Sequence, residues 1–164
     1  MTTTTNVSVT TFPLTIDYRK PLAEMVRAGR YRYVNPDINP AHFPIEGDGE
    51  VQTEVILVHF DRYIESDDVI AELDEQGLVP AKIEHLLTLG GQHPDLQRQY
   101  SIVCLGSVWT GPLGVRRVPC LVWWDGGRMV SLYCGRMVSL YCWPDEWSRY
   151  CRFAAVRKLP VPTL

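Results

Sequence analysis

The sequence predicts one α+β domain, with two or three helices and a mainly antiparallel sheet of short strands gathered in its C-terminal part. Three observations carry that expectation. The 164 residues are 46% hydrophobic and 21% charged, the balance of a chain able to bury a core. Two segments between Ser66 and Gly91 repeat their apolar residues at helical spacing. From Ser101 onward the chain turns to short β-rich runs separated by turn residues, and all five tryptophans lie from Trp109 on. The domain is expected to span 1–164, with 1–12 as an edge strand or arm and 159–164 as a frayed tail.

In chain order, Val7 to Phe12 alternates apolar and polar residues as an edge strand does, and Pro13 is expected to end it. Pro21 suits the first turn of a short helix whose Leu22, Met25 and Val26 share a face, with Gly29 as its left-handed cap. Asn35 to Pro44 holds three prolines and two asparagines and reads as loop. Val51 to Phe60 reads as a strand, on Val51, Val55, Leu57 and Val58. Ser66 is a candidate N-cap, Asp67 and Asp68 favour the positive end of the helix dipole, Val69, Ile70 and Leu73 form a stripe, and Gly77 closes the helix. Pro80 is expected to start the next helix, with Ile83, Leu86, Leu87 and Leu89 inward before Gly90-Gly91.

The C-terminal runs predict strands over Ile102 to Trp109, Val115 to Trp124, Arg128 to Cys134 and Tyr150 to Lys158. Thr110 to Gly114 serves as a hairpin connection, and Pro119 implies an edge or a bulge. The octamer Gly127 to Cys134 recurs unchanged as Gly135 to Cys142, the mark of an in-frame duplication and not of a solenoid. Eight is even, so the copy keeps the two-residue alternation and the sheet can accept either octamer.

Charge and chemistry narrow the function classes. The net charge of −3 divides unevenly, −7 over residues 1–82 and +4 over 83–164. No apolar run is long enough for a membrane span and no leader pattern opens the chain, so the expectation is a cytoplasmic protein without membrane contact. Cys104, Cys120, Cys134, Cys142 and Cys151 form no CxxC pair and are odd in number, which reads as reduced thiols packed on strands, with no metal or cofactor. No Gly-rich phosphate loop, HExxH or GxSxG is present, so no catalytic residue is assigned. His59 and Asp61 flank Phe60 and would face one side of a strand, the one pair that an enzyme reading could centre on; His42, His85 and His93 are expected on loop or helix surfaces.

The aromatic cluster is more suggestive. Trp123, Trp124, Asp125, Tyr141, Trp143, Asp145, Glu146, Trp147, Ser148, Arg149 and Tyr150 combine large amphipathic rings with short polar groups, the composition of a recognition surface. Trp143 to Tyr150 reads largely as loop, whereas Trp109 and Phe153 are expected in the core. A protein or other macromolecule is the expected partner. A nucleic acid is the alternative, with Arg116, Arg117, Arg128, Arg149 and Arg152 on phosphates and tryptophans stacking on bases. Oligomeric state is open.

Val58-His-Phe-Asp-Arg62, Glu72 through Ala81, Leu96-Gln97, Leu105-Gly-Ser-Val-Trp109, Arg117-Val-Pro119 and Arg152 through Lys158 resemble a family of small bacterial metagenomic proteins without assigned activity, over residues 15–158. A second likeness rests on Gly77-Leu-Val-Pro-Ala81, Gly106-Ser-Val-Trp109 and Arg152-Phe-Ala-Ala-Val-Arg157. These are similar to the C-type lectin-like fold of the formylglycine-generating-enzyme group and of variable proteins of diversity-generating retroelements. That resemblance implies a lectin-like scaffold whose ligand contacts are aromatic and small polar residues near the C-terminus, here Trp123 to Tyr150. Calcium-site lectin motifs are not evident, and the octamer duplication departs from the pattern.

Overall fold

Every alternating apolar run of the chain needs a partner to cover it, and a single large sheet covers most of them. A computed structural model describes residues 7–124, 127–133 and 146–159. The elements follow as β1 (Ser8–Asp17), α1 (Leu22–Ala28), β2 (Tyr33–Val34), β3 (Glu50–His59), β4 (Ile64–Glu65), α2 (Ser66–Glu75), β5 (Leu78–Pro80) and α3 (Ile83–Gln92). Then come α4 (Leu96–Gln99), β6 (Ile102–Val103), β7 (Trp109–Thr110), a 3₁₀ turn at Pro112–Gly114, β8 (Arg116–Trp124), β9 (Gly127–Tyr133), β10 (Glu146–Trp147) and β11 (Arg152–Arg157). The fold is α+β. Among the described residues it has four helices, the one beyond expectation being the single turn α4, and a mostly antiparallel sheet in the order β1-β3-β11-β6-β8-β9-β2. Of the described strand pairs, only β11 with β6 and β2 with β9 run parallel.

The sheet is covered on both faces. Val55, Ile56, Leu57 and Val58 are four successive buried residues of β3, the pattern of a strand with no solvent face. Val55 and Leu57 join Leu14, Ile16, Ile102, Cys104, Leu121 and Ala154 under α1 and α3. Ile56 and Val58 join Val103, Cys120, Val122, Phe153 and Trp147 under Val69 and Leu73 of α2. In α3, Ile83, Leu86, Leu87 and Leu89 are all buried, as the helical spacing predicts.

Several local expectations yield to tertiary demands. Pro13 lies inside β1, opposite Glu54. Among the described strands β1 pairs on one side only, and a proline whose absent N–H falls on the outer row removes no ladder bond. Gly29 is right-handed (φ −77°), and the left-handed residue is Arg30 (φ 50°). Ser66 opens α2 without capping it, because its hydroxyl is buried and serves Trp147 instead. Gly77 does close the element, in the left-handed conformation (φ 74°) that a side chain would disfavour. Pro80 ends β5, and α3 begins at Ile83 and runs through Gly90-Gly91.

The expected strand Ile102 to Trp109 is two strands, β6 and β7, both paired with β8. The break is where Pro119 requires it. β6 ends opposite Cys120, β7 begins opposite Arg117, and the intervening turn lets Cys104 N–H bond the Pro119 carbonyl at 3.0 Å. β9 takes the first seven residues of the first octamer, pairing β8 from Gly127 to Tyr133; Cys134 and the second octamer lie outside the described residues. The segment expected as loop from Trp143 to Tyr150 contains β10, which pairs with β4.

Candidate functional site

Sheet register decides which functional candidates meet. β11 pairs β3 antiparallel with Phe153 opposite Val58, and pairs β6 parallel with Arg152 beside Ile102. β6 pairs β8 antiparallel with Ile102 opposite Leu121. The C-terminal ends of β3 and β8 and the N-terminal ends of β11 and β6 therefore fall at one end of the sheet. His59, Asp61, Tyr63, Arg149, Tyr150, Tyr100 and Trp123 lie on or just beyond those ends.

Two loops are tied together there. Asp61 adopts a left-handed conformation (φ 52°), which an aspartate tolerates better than most residues. Its Oδ1 accepts from Arg149 Nε at 3.1 Å and Nη2 at 2.9 Å. The Arg149 hydrogen bond holds the Asp61 carboxyl below the usual carboxylate range, and Asp61 in turn raises the guanidinium. His59 Nε2 lies 2.7 Å from the Arg149 carbonyl, which can only accept, so Nε2 carries the proton. Ser148 completes the turn: its hydroxyl accepts from Tyr150 N–H at 3.2 Å and its carbonyl from Cys151 N–H at 3.1 Å.

Around this tie stand arginines stacked on rings. Arg149 lies 5.8 Å from the Tyr150 ring centroid, Arg152 lies 4.2 Å over Tyr100, and Arg98 lies 4.3 Å over Trp123. Tyr150 is 68% exposed, Tyr63 62% and Trp123 37%. Two of the three arginines face carboxylates, Arg149 with Asp61 and Arg98 with Asp95 at 3.7 Å. Among the described residues this surface is aromatic, and carboxylates offset two of its three stacked arginines.

The predicted site residues separate accordingly. Trp123, Arg149 and Tyr150 are exposed at this end, and Ser148 is half-buried in the turn. Glu146 is exposed in β10, across from Glu65. Trp124 ends β8. Asp125, Tyr141, Trp143 and Asp145 lie outside the described residues. Trp147 is a correction: it is 1% exposed, donates from Nε1 to Ser66 Oγ at 2.7 Å and meets Phe153 edge-on, so it contacts the core and no ligand. Phe153 is core as expected. Trp109 is only half-buried, stacked on His42 with centroids 3.8 Å apart and with Arg117 over it at 5.4 Å. No periodicity in the sequence marks Tyr63, Tyr100 or Arg98; sheet register brings Tyr100 under Arg152 and Trp123 under Arg98 at the end that carries Tyr150.

His59 donates from Nε2 to a carbonyl, and Asp61, 4.0 Å from it, is engaged by Arg149, so the two do not form a directly hydrogen-bonded pair. Among the described residues no group of three or more His, Cys, Asp or Glu side chains could hold a metal ion, and no helix is long and apolar enough to cross a membrane. Cys104, Cys120 and Cys151 are buried. Burial pushes the Cys104 thiol from 9.0 up to about 12 and the Cys151 thiol up to about 11. Both should resist iodoacetamide at pH 8 in the native protein and react once it is unfolded in urea, read by intact mass. Because the folded values are raised, the unfolded chain ionises first. Stability contributed by these thiols is full below pH 9 and declines as pH rises through 11 to 12, which a series of urea midpoints from pH 8 to 11 would record. No family model, curated protein or solved structure matches the chain.

Proposed function

We propose that this is a ligand-binding protein without chemistry of its own, and that the end of the sheet bearing Trp123, Tyr100, Arg149, Tyr150 and Tyr63 contacts a protein or other macromolecule. The observation that carries the reading is the row of three arginine–aromatic stacks beside exposed tyrosines. Tyr, Trp and Arg are the residues that dominate binding energy at protein interfaces, where rigid rings give contact area at small entropic cost. The Asp61–Arg149 tie holds the turn that presents Tyr150 in one geometry before a partner arrives. The resemblance to C-type lectin-like variable proteins supports the same placement, since their contacts lie near the C-terminus on a fixed scaffold, and the small bacterial family it also resembles assigns no competing activity. Nucleic-acid binding draws less support, because carboxylates face Arg98, Arg117 and Arg149.

The test is a comparison of the wild-type protein with the Trp123→Ala/Tyr150→Ala double variant, each immobilised and offered a host lysate at low and high salt. A protein retained by the wild type in both salts and weakened by the double variant by about 30-fold or more supports the reading. Both side chains are exposed, so the variant should melt within a few degrees of the wild type. Retention by both proteins alike removes this surface from the function; retention that vanishes with salt, or with nuclease, supports the nucleic-acid alternative.

A further inference from the structure

At the other end of the sheet, beyond the C-terminal end of β6, a cavity of about 250 Å³ opens between the loop at His42, Phe43 and Pro44, the start of α3, and the turn Gly106–Val108. Glu84 lines it and is only 4% exposed, whereas Glu46 and Lys82, which also border it, are exposed. The Glu84 Oε1 accepts one long hydrogen bond, 3.3 Å from Tyr18 Oη. Among the described residues no Lys, Arg or His nitrogen lies within 4.0 Å of the carboxylate. A carboxylate offers about four acceptor sites, and a buried one is costly unless these are filled. The position in the first turn of α3 favours a negative charge there.

We propose that this cavity binds a small organic molecule carrying a primary ammonium group. The Glu84 carboxylate takes the ammonium, and Phe43, Pro44 and Val108 line the space for an apolar body. Ser107 Oγ already accepts the Ile83 N–H at 2.9 Å, which leaves its own hydrogen to donate to a polar substituent. A single buried carboxylate among apolar walls suits an organic cation better than a metal ion, which needs several hard oxygen ligands. The site is separate from the recognition surface, and neither reading depends on the other.

Titration with n-butylammonium, butyrate and n-butanol, followed through the amide ¹H–¹⁵N shifts of Glu84, Gly106, Ser107 and Val108, tests it. Saturable shifts with butylammonium alone, weakened about 10-fold or more in Glu84→Gln, are expected, since glutamine keeps an acceptor for Tyr18 and loses the charge. Val108→Trp places a ring at the cavity wall and leaves the carboxylate intact; it should abolish the shifts, and it decides the matter if Glu84→Gln does not fold. Absence of saturable shifts, equal shifts from butyrate or butanol, or binding unaltered in the folded variants would overturn the proposal.

Discussion

Trp147→Ala lowers the stability of the fold by about 3–5 kcal/mol, read as a fall in the urea midpoint at unchanged slope. The residue is 1% exposed and lies among Val58, Phe60, Ile64 and Phe153, so truncation empties an indole's volume that packed neighbours refill only in part. It also strands the Ser66 hydroxyl, which is fully buried and bonded to the indole N–H at 2.7 Å. Trp147→Phe separates the two losses: the ring contact with Phe153 survives, and the cost falls to about 1–3 kcal/mol, the penalty for a buried polar group without its partner. Adding Ser66→Ala to Trp147→Phe should recover part of that cost, because both members of the bond are then gone. A loss below about 1 kcal/mol for Trp147→Ala would mean that the ring is at the surface after all, and would return it to the candidate binding residues.

Gly106→Ala is expected to cost about 1–3 kcal/mol, at the upper end because the obstacle is backbone. A Cβ on Gly106 would come 2.3 Å from the Ala81 carbonyl oxygen and 2.6 Å from that of Pro80. The Ala81 carbonyl cannot simply withdraw, since it accepts from Gly106 N–H at 3.0 Å and from the Cys104 thiol at 2.6 Å, while Ala81 N–H holds the Ala154 carbonyl at 2.9 Å. Moving it disturbs β11 and the start of α3 together. Gly91→Ala provides the contrast. Its added Cβ would meet nothing nearer than 3.8 Å and would replace a helix-weakening residue, so this variant should gain up to about 1 kcal/mol. Thermal melts of the two variants should move in opposite directions; a shared direction would remove close backbone approach as the reason for Gly106.

The order of residues along the chain was enough to locate what neighbours along the chain decide. The stripe Ile83, Leu86, Leu87 and Leu89 recurs at helical spacing, so its helix and its buried face were legible, and Val51 to Phe60 was legible as a strand for the matching reason of residue type. Val7 to Phe12 was legible as a strand from its alternation, but Pro13, expected to end it, lies inside β1, because whether a missing N–H interrupts a ladder depends on where the partner strand runs. The binding candidates Trp123, Arg149 and Tyr150 stood out by composition alone.

Tertiary structure decided everything that depends on a distant partner. Trp147 and Ser66 are 81 positions apart, so nothing local told that the serine would serve an indole instead of capping α2. Asp61 and Arg149 are 88 apart, and their ion pair exists because β11 enters the sheet between β3 and β6. Glu84 reads as an ordinary first-turn acid of α3 until Tyr18, Phe43 and Ser107 close around it. Periodicity reports which side of an element is apolar. Strand order and register, chosen by the summed burial of all the elements at once, determine what that side and its polar exceptions will meet.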